Sequence, residues 1–113
     1  MLEGKFSKNM VTPWLTEQGI FQFKKPQGRF VTRKGIADYQ LCVRGQYVAL
    51  ELKTDFGTLS DAQKKERQLV RASEGIYMVG RPKTWHAVRA WLTELKHRHK
   101  IPQNVLDILA EVL

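Results

Sequence analysis

The chain has 113 residues, 42% hydrophobic and 27% charged, the profile of one ordinary soluble domain. Nineteen Lys and Arg against eleven Asp and Glu leave a formal charge of +8, which draws a protein towards polyanions such as DNA through counterion release. No apolar run approaches the roughly 20 residues that span a bilayer, no signal-peptide core follows Met1, and a lone Cys42 cannot form an internal disulfide, so membrane and disulfide-stapled classes are excluded and a cytosolic location is expected.

Leu2, Phe6, Met10, Trp14 and Leu15 recur at helical spacing over residues 2–18, with Gly19 as a stop and Pro13 setting a kink or a late start. Residues 20–23 read as a short strand, and residues 26–34 as a basic loop carrying Gly28. Lys24, Lys25, Arg29, Arg33 and Lys34 crowd this stretch with no acidic residue among them, which makes them candidates to clamp a DNA backbone. Phe30, within the loop, is a candidate for stacking on an unpaired base.

Two strand-like runs follow, 36–43 and 46–53, joined by Arg44-Gly45, a hairpin signal. After a loop at 54–58, Ser60 and Gln63 make an S-x-x-Q capping box that opens a helix running to about residue 74, stopped by Gly75. Residues 76–79 form another strand, ended by Pro82. Residues 84–98 form an amphipathic helix with Trp85, Val88, Trp91, Leu92 and Leu95 on one face, and its basic end, Lys96 to Lys100, suits either a helix C-terminus or a phosphate. A last helix over 102–113 carries Val105, Ile108, Leu109 and Val112. The pattern predicts a single α/β domain over residues 1–113, with a core over about 1–98, a C-terminal helical extension at 102–113, and a central mixed β-sheet covered by helices.

The hairpin register carries the chemistry. If Arg44-Gly45 is a two-residue loop, Val43 pairs with Gln46 and Asp38 falls opposite Glu51, with Cβ atoms ~5 Å apart. Leu41 with Val48, Tyr39 with Leu50, and Ala37 with Leu52 then share an apolar face, while Asp38, Gln40, Glu51 and Lys53 share the other. Two opposed carboxylates repel. A hard divalent cation such as Mg²⁺ or Mn²⁺ would sit between them, and Lys53 would stabilise phosphate charge or orient a water. The other reading is an exposed sheet edge where Lys53 neutralises the acids. His86, His97 and His99 lack the spaced partners of a zinc site, and Cys42 reads as a packed small residue.

Gly35-Ile36-Ala37-Asp38, Ala49-Leu50-Glu51-Leu52-Lys53, Leu59-Ser60-Asp61-Ala62-Gln63 and Gly75, in that order, resemble the VRR-NUC family of the PD-(D/E)XK nuclease superfamily over most of the chain. The resemblance implies a restriction-endonuclease-like core and Mg²⁺- or Mn²⁺-dependent hydrolysis of DNA phosphodiester bonds. It makes Asp38 and Glu51 metal ligands together with the backbone carbonyl of Leu52, and Lys53 the catalytic lysine. Gln63 becomes the family's helix glutamine facing the site, a role beside its capping one. For the glutamate of the first helix, Glu3 is the best candidate, ahead of Glu17. Ala37 stands where the family usually has proline, a departure that alters strand rigidity and keeps the carboxylate. Stand-alone members are typical of phages, which would put the protein in the host cytoplasm. Some act as dimers on branched DNA such as Holliday junctions, so a homodimer, with the tail at 102–113 in its interface, is a further expectation. A basic DNA-binding module without catalysis is the alternative.

Overall fold

A proline inside an apolar helical stripe forces a change of hydrogen-bond register, and the first helical run makes one. Helix α1 (Glu3–Phe6) passes through a π-helical stretch (Ser7–Val11) into α2 (Thr12–Glu17), so that Pro13 stands in the first turn of α2, directly after the change of register. Phe6, Val11 and Leu15 are fully buried in consequence. These positions come from a computed structural model that describes residues 2–26 and 33–98; the expectations for Gly28, Arg29, Phe30, His99, Lys100 and the helix at 102–113 lie outside the described residues.

Four strands follow: β1 (Phe21–Lys24), β2 (Tyr39–Val43), β3 (Gln46–Leu52) and β4 (Ile76–Gly80). They form one mixed sheet in the order β1-β2-β3-β4, with the first two pairings antiparallel and the last parallel. The β2–β3 register is the one the hairpin predicts, with Tyr39 opposite Leu50, Leu41 opposite Val48 and Val43 opposite Gln46. Arg44 and Gly45 both take positive φ, 56° and 79°, the backbone that a two-residue turn needs to match strand twist.

The start of β2 departs from the sequence pattern. It begins at Tyr39, not at residue 36, because Gly35 (φ 88°) turns the chain hard against the next helix, where a Cβ would stand 2.3 Å from the Ala62 carbonyl oxygen. Ala37 therefore does not join the Leu52 face as expected. It packs in a small cluster with Ala49, Val70 and Tyr77 on the other side of the sheet.

Helix α3 (Asp61–Ala72) covers that side, and its capping box is complete: Gln63 N–H donates to Ser60 Oγ and Ser60 N–H to Gln63 Oε1. The helix stops at Ala72, and it is Glu74 (φ 63°), not Gly75, that takes the left-handed conformation. Gly75 is needed for space, since a Cβ there would meet Val70 Cγ1 at 2.9 Å.

Helix α4 (Trp85–His97) lies with α1 and α2 on the opposite face of the sheet, where Phe6, Leu15, Tyr39, Leu50, Trp85 and Leu92 belong to the main core. Phe6 and Trp14 meet Trp85 edge to face. Trp91 does not join this face as the periodicity suggests; it is 38% exposed, with the Arg98 guanidinium over its ring at 5.6 Å. Cys42, expected to be packed, is exposed. The basic end of α4 is partly structural, as Lys96 Nζ donates to the Gln18 carbonyl at 2.6 Å. Among the described residues no helix is long and apolar enough to cross a membrane.

Gly35→Ala is expected to lower stability by about 2–4 kcal/mol in chemical denaturation, the sum of a left-handed backbone and an overpacked contact. Gly4→Ala, with open space around it, serves as the control and is expected to be neutral or slightly stabilising.

Candidate functional site

Asp38, just outside the β2 ladder, closes it with its side chain. Its Oδ2 accepts the Leu52 N–H at 2.8 Å, while its own carbonyl accepts the Lys25 N–H at 2.7 Å. One residue thus ties the entry to β2 to the end of the strand on each side, β1 and β3. The N–H and C=O of a strand residue point to the same neighbour, so the Leu52 carbonyl also faces the Asp38 side, and the next N–H, from Lys53, goes the other way to the Gly80 carbonyl.

Glu51 is the acid that burial acts on. It retains only 2% exposure, among the side chains fully enclosed in the fold. Burial, the charge of Asp38 and a hydrogen bond to the Asp38 carboxyl push its pKa up from 4.5 to about 8, against the opposing pull of Lys53 and Lys25. At neutral pH Glu51 therefore keeps its proton. The exposed-edge reading, in which Lys53 simply neutralises two solvated acids, does not fit a Glu51 so enclosed.

Gln63 both caps α3 and reaches Glu51. Its Oε1 is committed to the Ser60 N–H at 2.8 Å, which turns its amide nitrogen to Glu51 Oε2 at 3.4 Å. The cap of α3 and the orientation of the buried acid are one side chain's work.

A cavity of about 240 Å³ opens beside Asp38, lined by Glu3, Gly4, Ser7, Lys24, Asp38 and Leu52. Glu3 therefore lies on the Asp38 side of the molecule, whereas Glu17 ends α2 exposed and lines no part of this cavity. The helical wall is fixed to β2 through the Tyr39 hydroxyl, which is bonded to both Ser7 Oγ and Thr12 Oγ1. Among the described residues no three His, Cys, Asp or Glu side chains converge closely enough to hold one ion.

Comparison with protein-family models, with curated proteins and with solved structures returned no match.

The basic stretch is divided by the fold. Lys24 lines the Asp38 cavity and Lys25 acts on Glu51, so both stand at the site. Arg33 does not stay clear of acids as the local sequence suggests: its guanidinium pairs at 2.5 Å with Glu66, a buried residue on α3. Lys34 is exposed, and Arg29 lies outside the described residues.

Sequence reasoning missed Glu66 and Tyr77. Gln63, Glu66, Arg67 and Val70 follow helical spacing on the sheet side of α3, so the stripe under this helix is mostly polar, and that pattern was the available signal. Beneath it the Tyr77 hydroxyl is buried with no hydrogen-bond partner among the described residues, and burial with the nearby charge of Glu51 raises its pKa.

A raised carboxyl pKa means that the folded protein binds more protons than the unfolded chain between pH 4.5 and about 8. Stability is therefore full below that window and falls as pH rises through it. The melting temperature in EDTA is expected to drop from pH 5 to pH 8, and Glu51→Gln to flatten that slope and melt above the wild type at pH 8. An unchanged slope in Glu51→Gln would assign the effect to another group.

Proposed function

We propose that the chain is a metal-dependent endonuclease that hydrolyses DNA phosphodiester bonds, on a restriction-endonuclease-like core of the VRR-NUC kind. The observation that carries this reading is the Asp38–Glu51 pair: two acids held together, one of them buried, beside Lys53. A fold that needed only stability would gain by replacing Glu51, since the repulsion is relieved only by retaining a proton. A site for a divalent cation gives the pair a reason to persist. Its donors, Asp38, Glu51 and the Leu52 carbonyl, are all hard oxygens, which suit Mg²⁺ or Mn²⁺ and not a thiophilic metal. Bound there, such an ion would supply Lewis acidity at the phosphate and an activated water.

The chain's own residues divide the remaining work. Gln63 orients Glu51 from the capped end of α3. Lys53, two residues beyond Glu51 and just past the end of β3, offers an ammonium group to the charge that develops on the phosphate. Lys24 and Lys25 supply cations for the DNA backbone beside the acids, and Glu3 faces the same cavity. A domain this small has little surface for base-by-base readout, which favours DNA recognised by shape, such as branched DNA.

Cleavage of branched, nicked and linear DNA with Mg²⁺ or Mn²⁺, abolished by EDTA, is the direct test. Asp38→Ala and Glu51→Ala are each expected to abolish cutting without loss of fold, and Asp38→Ala cutting at the wild-type rate would overturn the assignment. Lys53→Ala is expected to lower turnover by about 10²–10³ while leaving DNA binding nearly intact. Tight DNA binding with no cutting under either metal would instead make the protein a non-catalytic basic module.

The cations allow a second comparison. Removing Lys24 and Lys25 together is expected to weaken DNA binding more than removing Lys64 and Lys65 from the outer surface of α3. It should also flatten the dependence of log K on log salt by roughly 0.9 for each duplex phosphate that is no longer neutralised. Equal effects from the two pairs would mean that only total charge matters.

A further inference from the structure

Phe56 is 88% exposed, the most open large hydrophobic side chain among the described residues. It stands on a turn that is tied down from several sides. Arg81 Nη1 donates to the carbonyls of both Thr54 and Gly57 at 2.6 Å. The Gly57 N–H donates to Thr54 Oγ1 at 3.0 Å, and Asp55 Oδ1 accepts the Lys83 N–H at 2.9 Å. The turn that carries the ring is thus held in place, and the ring stands in water.

The turn also adjoins the site. It starts directly after Lys53, and its Gly57 packs so closely that a Cβ there would touch Thr54 Oγ1 at 3.1 Å and Lys53 Cδ at 3.5 Å. Lys83 holds its ammonium 5.4 Å from the Phe56 ring centroid. The ring therefore has the Lys83 ammonium over it, while the Lys53 side chain runs beside Gly57 of the same turn. An apolar protein partner would have to bury those cations unpaired. A nucleic-acid strand offers a base for the ring and phosphates for the lysines at once. Bases in an intact duplex are already stacked on their neighbours, so an isolated ring can reach only a base that has lost its pair.

We propose that Phe56 stacks on an unpaired DNA base next to the scissile phosphate and thereby selects bulged or branched DNA over plain duplex. The position relative to the phosphate rests on the nuclease reading above; the stacking contact does not require cleavage.

The test uses the full chain in EDTA with duplexes carrying 2-aminopurine, whose fluorescence is quenched on stacking, either in a single-base bulge or in a paired position. The wild type is expected to quench the bulged probe and to bind it about 5- to 140-fold more tightly than the paired duplex, the range that one stacked base supplies. Phe56→Ala should lose both the quenching and the preference while keeping its affinity for paired duplex, and Phe56→Trp should retain both. A melting temperature unchanged in Phe56→Ala, expected for so open a side chain, ties any loss to the ring itself. Quenching and preference that survive Phe56→Ala, or that the wild type never displays, overturn the proposal. Cleavage of the same probes with Mg²⁺ is scored separately. Quenching without cutting leaves the stacking standing and removes the nuclease reading, whereas cutting with no dependence on Phe56 does the reverse.

Discussion

The hydrogen bond from the Leu52 N–H to the Asp38 carboxylate is the contact on which the rest of the site depends. Gly35 turns the chain away from the ladder before β2 begins, so a main-chain partner for the last N–H of β3 on that side is replaced by a side-chain oxygen. That substitution fixes the Asp38 carboxyl at the strand end, against Glu51. It also makes a carboxylate do a structural task, so the acid is retained at its place whether or not a cation is bound. A charge-assisted bond of this sort is stronger than a neutral one, which helps to offset the repulsion it creates.

The second support is a helix whose sheet-facing stripe is polar. α3 sits over Ala49, Tyr77 and the Glu51 end of β3, and presents Gln63, Glu66 and Arg67 where an ordinary crossover helix would present leucines. Each polar group gives up water to be there, and two find a partner in the fold: Gln63 reaches Glu51, and Glu66 receives Arg33. Because Gln63 is also the N3 residue of the capping box, the geometry of the acid pair is tied to the first turn of the helix. Fraying of that turn would release Glu51 at the same moment.

Much of this is legible in the chain. The Arg44-Gly45 turn and the alternation on either side are enough to set the β2–β3 register, because a one-residue slip would put Leu41 and Val48 on the polar face. Ser60 and Gln63 locate the start of α3 because a capping box is a local device. What stays hidden are effects of tertiary contact. Nothing local says that Gly35 must pack against a carbonyl of Ala62, and so the strand reads three residues too long and Ala37 falls on the wrong face. Trp91 fits the apolar period of α4 yet lies at its margin, where an arginine covers it. Arg33 looks unopposed because its acid lies 33 positions away on another element. Phe56 carries no periodic signal at all, since its meaning depends on Arg81 and Asp55 pinning the turn that displays it.

The Arg33–Glu66 pair also changes how the basic stretch should be understood. Glu66 is buried and Arg33 is mostly exposed, so the contact holds the segment leading to Asp38 against α3 more than it neutralises a surface charge. With Gly35 packed on the first turn of the same helix, the segment entering β2 is held at two points two residues apart. Removing Arg33 would therefore do two things at once: lower the positive charge, and leave a buried carboxylate unpaired beneath α3. A loss of DNA affinity in that variant would not by itself speak for a phosphate contact. Among the described residues Lys24 and Lys25 form no such ion pair with an acid, which is why they, and not the arginine, are the cations whose removal tests the proposed contact with a DNA backbone.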